Sequence, residues 1–510
     1  MELQTTSRRI GLAETLFDDF DERPVDCDFV LPDFLPDIAA ILKCMIRPVV
    51  QSHQITGDRV MADGTVYIQV LYLDEERKCV RSFESTQPFT SVFSVKNLQN
   101  HNTVSFSTKV NYVNCRATGP RRVDIHGAFS VKLTVMGQQE IELIESACAD
   151  NLYTKGCTVT CTVPSGNVEK SFTVNEVLEL NGAQPAHMLL RHEAHICLTD
   201  CKQLPGKAVV KGDILLKVVY VTDPESGAVG HQKYTIPFSQ ILDVDGLTED
   251  TLCDCHADIL AADVRLSQNP NGENRLITVS MKAALGMDCF RDETGDMMTD
   301  VFHTVYPLSV STCRIAPCRI TDIRREILTI QQSVELSNGG VSEILDVWAE
   351  PLSAACENTD GGASITGQML LHLLVRDENG MVCYEEKTEP FTLPQDGECS
   401  AADVTVLPLD TEYTMAGGRL DVRVKVCVCR RICLTDSRLA VTALQADESA
   451  PFPCAEGMEK CQLKVCFAEA GQSVWEIAKA EHASPDALKA ENELTDDYLS
   501  ERTMLLIPLR

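Results

Sequence analysis

Gly64-Thr65-Val66-Tyr67-Ile68-Gln69-Val70-Leu71-Tyr72-Leu73-Asp74 is rich in β-branched and aromatic residues and partly alternates apolar with polar. That pattern predicts a strand. Charged residues follow, and Gln87-Pro88-Phe89 comes a little later. The arrangement recurs as Gly212-Asp213-Ile214-Leu215-Leu216-Lys217-Val218-Val219-Tyr220-Val221 with Ile236-Pro237-Phe238. It recurs again as Gly367-Gln368-Met369-Leu370-Leu371-His372-Leu373-Leu374-Val375 with Glu389-Pro390-Phe391. The glycines lie 148 and 155 residues apart, and upstream Ile41-Leu42, Leu189-Leu190 and Ile344-Leu345 keep the same two offsets. A period near 150 is too long for a solenoid unit, so it marks tandem domains of one fold.

Each copy ends in a further β-rich run: Val123 to Met136, Leu276 to Met287, and Leu420 to Cys433. From Ile277 on, Ile277, Val279 and Met281 alternate with Thr278, Ser280 and Lys282, the signature of a sheet with one buried face. The fold class is therefore mainly β, with three tandem sandwich-like domains. The expected limits are 1–160, 165–312 and 322–450, with a fourth unit at 461–510. Ile10 to Phe20 reads as a short helix. The run after Pro36 reads as a short helix or a turn into a strand. Linkers are expected near Thr154 to Lys170, Ser311 to Arg324 and Asp447 to Lys460, the last holding Pro451-Phe452-Pro453.

The last fifty residues read differently, as strand, helix, helix, strand. Ser473 followed by Glu476 has the spacing of a capping box, and Ser484-Pro485 opens a second helix. With Gly471, Ile477, Ala478, Asn492, Leu505, Ile507 and Pro508, this segment resembles a LysM domain, a small βααβ module. Gln472 stands where that family usually has Asp, and Glu501-Arg502-Thr503 replaces its Pro-Gly-Gln. The resemblance implies a shallow groove between two turns, 470–474 and 493–498. Gly471, Gln472, Ser473, Trp475, Asn492, Glu493, Leu494, Thr495 and Tyr498 are then the candidate binding residues, for an N-acetylglucosamine polymer or for a protein.

The whole chain, with Pro36-Asp37-Ile38-Ala39-Ala40-Ile41-Leu42, three Gly-led strands, three Pro-Phe pairs and this tail, resembles the SPOCS-domain spore-coat proteins of spore-forming Firmicutes, closest to the clostridial type. The resemblance implies a mother-cell cytoplasmic morphogenetic protein recruited to the forespore surface. Its implied partner is the coat basement-layer ATPase, with peptidoglycan as the alternative.

Composition sets further bounds. The chain has 510 residues, 44% of them hydrophobic and 24% charged, and a net charge of −30. Such a balance disfavours nucleic acid and anionic membrane surfaces. No apolar signal segment and no run of transmembrane length is visible. The 23 cysteines, many within apolar strand-like runs, read as reduced thiols serving as small hydrophobes. Cys253-Asp254-Cys255-His256, Cys157/Cys161, Cys197/Cys201 and Cys427/Cys429/Cys433 are the nearest approach to metal knuckles, yet none supplies a complete ligand set. His192-Glu193-Ala194-His195 is one residue short of the zinc-helix spacing. Gly339-Gly340, Gly361-Gly362 and Gly417-Gly418 read as turns. No nucleophile elbow or phosphate loop is present, so no metal, no cofactor and no catalytic residue is assigned.

Overall fold

The computed structural model describes residues 3–76, 79–96, 98–99, 102–182, 184–336, 340–359, 362–395, 402–416, 419–452 and 463–508. Gly339, Gly361, Gly417, Gly418 and most of the expected last linker, from 453 on, lie outside these. The described chain is almost entirely strand, with two short helices near the C-terminus.

One six-strand arrangement occurs three times. In the first copy, β1 (Gln4–Val30), β6 (Arg122–Cys148) and β5 (Thr103–Gly119) form one antiparallel sheet. The second sheet holds β2 (Ile38–Thr56), β3 (Arg59–Asp74) and β4 (Val80–Ser94). The second copy repeats this with β7 (Leu152–Glu179), β12 (Asn274–His303) and β11 (Leu252–Gln268) against β8 (Met188–Leu204), β9 (Lys207–Asp223) and β10 (Ala228–Asp243). After β13 (Leu308–Ile315), the third copy uses β14 (Cys318–Glu335), β19 (Arg419–Thr435) and β18 (Ala402–Ala416) against β15 (Val341–Thr359), β16 (Gly362–Asp377) and β17 (Val382–Gln395). The inner faces of each pair of sheets share one core. Val25, Ile46, Ile68, Phe93 and Ile125 show this in the first copy, and Phe172, Leu198, Ile214, Phe238 and Ile277 in the second. Each copy is thus a sandwich.

The repeated Gly and Phe have a structural reason. Gly64 pairs with Phe89, Gly212 with Phe238 and Gly367 with Phe391 across adjacent strands. A Cβ built on Gly212 would lie 2.6 Å from the Phe238 ring and 2.6 Å from the Cys197 carbonyl oxygen. The same two clashes, ring and neighbouring carbonyl, arise at Gly64 and Gly367. On the other flank of each glycine, the first strand of the sheet carries a bulge: Val50/Ser52, Leu198/Asp200 and Pro351/Ser353. The missing side chain lets the ring lie flat over the central strand while the bulge bends the neighbouring strand onto it.

The central strands alternate in burial and then become buried on both faces, as at Leu71, Tyr72 and Leu73 and at Val219, Tyr220 and Val221. Their second face meets the other sandwiches. Leu71, Leu73, Val80, Leu190, Val219, Leu345, Trp348, Leu374 and Val382 form one apolar hub drawn from all three copies. Leu71, Val219 and Leu374 keep the 148 and 155 offsets, so the hub repeats the sequence period. Beside it lies a buried ionic network. Arg191 donates to Asp346 (2.9 Å) and Glu193 (2.9 Å), and Lys217 donates to Asp346 (2.6 Å), joining the second and third sandwiches. Burial alone would raise the Asp346 carboxyl, but Arg191 and Lys217 hold it below the usual range. The Arg191 guanidinium stacks over Trp348, and His372 stacks on its ring at 4.8 Å. Lys43 pairs with Glu386, tying the first sandwich to the third.

The outermost strands overrun the sandwiches. The far ends of β1 and β6, of β7 and β12, and the pair of β13 with β20 (Arg438–Ala446) are three two-stranded ribbons packed together. Ile10, Leu143, Val159, Met297, Ile315 and Ala440 are among the residues between them. This corrects three expectations. Ile10 to Phe20 is strand, because it pairs with Ile141 to Lys132 of β6. Thr154 to Lys170 is strand, in β7, and Ser311 to Arg324 lies mostly within β13 and β14. The chain turns at 33–35 and enters β2 as a strand at Ile38.

Gly212→Ala is expected to lower stability by roughly 1–3 kcal/mol through overpacking, read as a lower denaturant midpoint. An unchanged midpoint would show that ring and bulge move aside freely.

Candidate interaction site

After the third sandwich the chain returns to the second ribbon. Phe452 N–H donates to the Val305 carbonyl at 2.9 Å, and the Phe452 ring stacks on His482 at 3.8 Å. Beyond it, β21 (Leu463–Ala468), α1 (Val474–Ala480), α2 (Pro485–Glu491) and β22 (Thr503–Pro508) make a small module with its own core. Val474, Ile477, Ala478, Leu488, Leu505 and Ile507 are buried in it. Ser484 caps α2 by accepting from Ala487 N–H at 3.2 Å. Ser473 occupies the N-cap position of α1, but its hydroxyl makes no capping hydrogen bond. The residue is buried, and its backbone bridges to Tyr498 instead.

That bridge brings the two candidate turns together. Gly471 N–H donates to Leu499 O (2.7 Å), Leu499 N–H to Gln472 O (3.0 Å) and Val474 N–H to Asp497 O (2.9 Å). Gly471 has φ +84°, a conformation side chains rarely tolerate, with open space where a Cβ would sit. Gln472, Glu493 and Thr495 are exposed, and Tyr498, in the bridged turn, is 61% exposed. Two candidates are structural. Asn492 accepts from Leu506 N–H (2.7 Å) and donates to Leu488 O (2.9 Å) and Leu506 O (2.7 Å), locking α2 to β22. Leu494 packs against the module's core.

The structure ties the Trp475 side chain to the second ribbon. Its indole N–H donates to the Asp300 carboxylate at 2.8 Å, and Lys479 reaches the other oxygen at 2.6 Å. The ring meets Phe302 edge-on at 4.9 Å, and Phe302 stacks on Tyr153 at 5.5 Å. Burial raises the Asp300 carboxyl, but its bonds from Lys479 and Trp475 outweigh that and hold it below the ordinary range. Trp475 therefore anchors the module to the end of the second ribbon. No local signal marks Asp300 as its partner, 175 residues away.

A surface that the sequence reading missed lies on the module's outer face. Leu463 pairs with Pro508, Val465 with Leu506 and Phe467 with Met504 across β21 and β22. These six side chains share one face of the two-stranded sheet. Phe467 is 66% exposed, and Leu463, Val465 and Met504 are also exposed. Alternation in Leu463-Lys464-Val465-Cys466-Phe467 was the available signal. It placed apolar residues at alternate positions, but the buried face is the other one, filled by Ala468, Leu505 and Ile507.

Among the described residues, no group of three or more His, Cys, Asp or Glu side chains is placed to hold an ion. His195 bonds Glu193 at 2.9 Å. Burial, with Arg47 and Arg191 nearby, pushes His192 down to about 4. Described cysteines are free thiols except Cys356, which is disulfide-bonded, a departure from the uniformly reduced state expected.

Residues 37–118 and 185–267 match the family model described as SipL, SPOCS domain. The matched segments cover β2 to β5 and β8 to β11, the same four strands of the first two sandwiches. The chain thus carries SPOCS-type segments, which links it to a sporulation theme. No curated protein and no solved structure matches it. Among the described residues, no helix is long and apolar enough to cross a membrane.

Asp300→Ala is expected to loosen the module, since it strands the indole N–H and the Lys479 ammonium; hydrogen bonds to charged groups are each worth about 1.5–3 kcal/mol. The check is tryptophan emission of Asp300→Ala in a Trp348→Phe background, which should shift to the red. An unshifted spectrum would mean that Phe302 alone holds the ring.

Proposed function

We propose that this protein is a non-catalytic scaffold of spore-coat assembly. In this reading three SPOCS-type sandwiches carry a C-terminal LysM-type module, which docks onto the coat basement-layer ATPase at the forespore surface from the mother-cell cytoplasm. The observation that carries the reading is the apolar strip of exposed Leu463, Val465, Phe467 and Met504, flanked by half-buried Leu506 and Pro508. A contiguous apolar face on a surface module is a feature of protein-docking sites. The module is also acidic, with nine acidic and five basic side chains between 461 and 510, which favours a partner with basic groups around an apolar centre. Its fixation by Trp475, Asp300 and Phe302 supports a rigid presentation, which lowers the ordering cost of binding.

A second reading is recognition of an N-acetylglucosamine polymer in the groove. The closed turn pair and the exposed Tyr498 ring favour it, because an aromatic face suits a sugar ring.

The two readings use different faces, so they separate cleanly. Capture of coat proteins from sporulating cells should fall at least tenfold with Phe467→Ser, a cost of about 1.4 kcal/mol, and should survive Tyr498→Ala. Deleting 461–510 should abolish it. If capture persists after the deletion while peptidoglycan sedimentation is lost, the docking reading fails and the glycan reading stands.

A further inference from the structure

The seam between the second and third sandwiches gathers thiols. The Sγ atoms of Cys201 on β8 and Cys255 on β11 are 3.3 Å apart, and those of Cys253 and Cys289 are also 3.3 Å apart. Across the seam, Cys427 and Cys429 lie 3.8 Å from each other. An open cleft of about 350 Å³ gives onto Cys201, Cys253, Cys255 and Cys429, with Arg325 and Arg431 in its wall. Arg325 donates to the Cys255 carbonyl and, at 3.2 Å, to Cys429 Sγ. Small solutes can therefore reach the exposed Cys201 sulfur, and Arg325 favours its thiolate.

Within the array, Cys201 and Cys255 differ in kind. Cys201 is exposed and Cys255 is buried directly behind it. The hydrogen bond from Cys255 draws the Cys201 thiol down, with Arg325 helping, while Cys255 itself is pushed up. The two residues also sit in different sheets of the sandwich, β8 in one and β11 in the other. An independent observation comes from the third sandwich. Cys201 faces Val210 on its neighbouring strand, and Cys356 faces Ile365, with both positions 155 residues further on. Cys356, at that equivalent place, is disulfide-bonded.

We propose that Cys201 and Cys255 are a thiol–disulfide exchange site, oxidised by low-molecular-weight disulfides to a bond that staples the two sheets of the middle sandwich. The Cys201 thiolate attacks one sulfur of the small disulfide. The S–S bond breaks and the small thiolate leaves with the electron pair, giving a mixed disulfide on Cys201. Cys255 then attacks the Cys201 sulfur and expels the second small thiolate. The protons from Cys201 and Cys255 end on the two small thiols. Two protein thiols are oxidised and one small disulfide is reduced. The sulfurs need only close from 3.3 Å to the ~2.05 Å of an S–S bond.

The test uses the full chain, incubated with glutathione disulfide after reduction, alkylated, and digested for non-reducing peptide mapping. A peptide joining Cys201 to Cys255 is the expected product, absent from the reduced control. Cys255→Ser removes the second attack, so Cys201 should then accumulate as the mixed disulfide with glutathione. Cys201 is exposed, so Cys201→Ser should fold normally and leave Cys255 alkylatable only after unfolding. Full alkylation of both thiols after oxidant would overturn the proposal, and so would Cys201 linked to Cys253 or Cys289.

Discussion

A phenylalanine ring lying on a glycine holds each sandwich in shape. At Gly64, Gly212 and Gly367 the central strand gives up its side chain, the ring of Phe89, Phe238 or Phe391 fills the space, and the neighbouring strand bulges beside it. That contact fixes the register of the three-stranded sheet, since a slip of one residue would turn Phe and Gly to opposite faces. With the register fixed, the alternate residues of the central strand point into the sandwich core. The outer residues near its end, Leu71, Val219 and Leu374, point into the hub. The assembly of three sandwiches thus depends on a contact repeated inside each one.

Around the hub, apolar packing supplies the area, and the Arg191–Asp346–Lys217 network makes it specific. A buried ion pair adds little net stability over an apolar replacement, yet losing one partner is costly. Asp346 in the third sandwich is matched to Arg191 and Lys217 in the second. That match distinguishes the second-to-third contact from other pairings of three similar domains.

Much of this was legible in the sequence, because it is local. The strand period, the Gly and Pro-Phe positions and the constant offsets are all readable residue by residue. The uninterrupted apolar run Val70-Leu71-Tyr72-Leu73 even signals burial on two faces. Long-range pairing was not legible. Ile10 to Phe20 has residues that suit a helix, but β6, over a hundred residues away, offers it a strand partner. Two of the three stretches read as linkers, Thr154 to Lys170 and Ser311 to Arg324, run through the overrunning ribbons, whose partners are equally remote. In the C-terminal module, the helices followed from spacing and from the Ser484 cap, whereas the capping box read at Ser473 does not form. The role of Trp475 did not, because Asp300 and Phe302 belong to another part of the chain. The outer apolar strip was visible as alternation, but a six-residue strand does not reveal which of its faces is covered.

In the proposed reading, the hub and ribbons set the module's position, and β21 and β22 offer the docking surface. The most direct test is hydrogen–deuterium exchange of the full chain, alone and with the coat basement-layer ATPase. The account predicts new protection concentrated in 463–468 and 503–508, with the hub unchanged. Protection confined to 470–474 and 493–498, or spread over the sandwiches with the module unaffected, would contradict it.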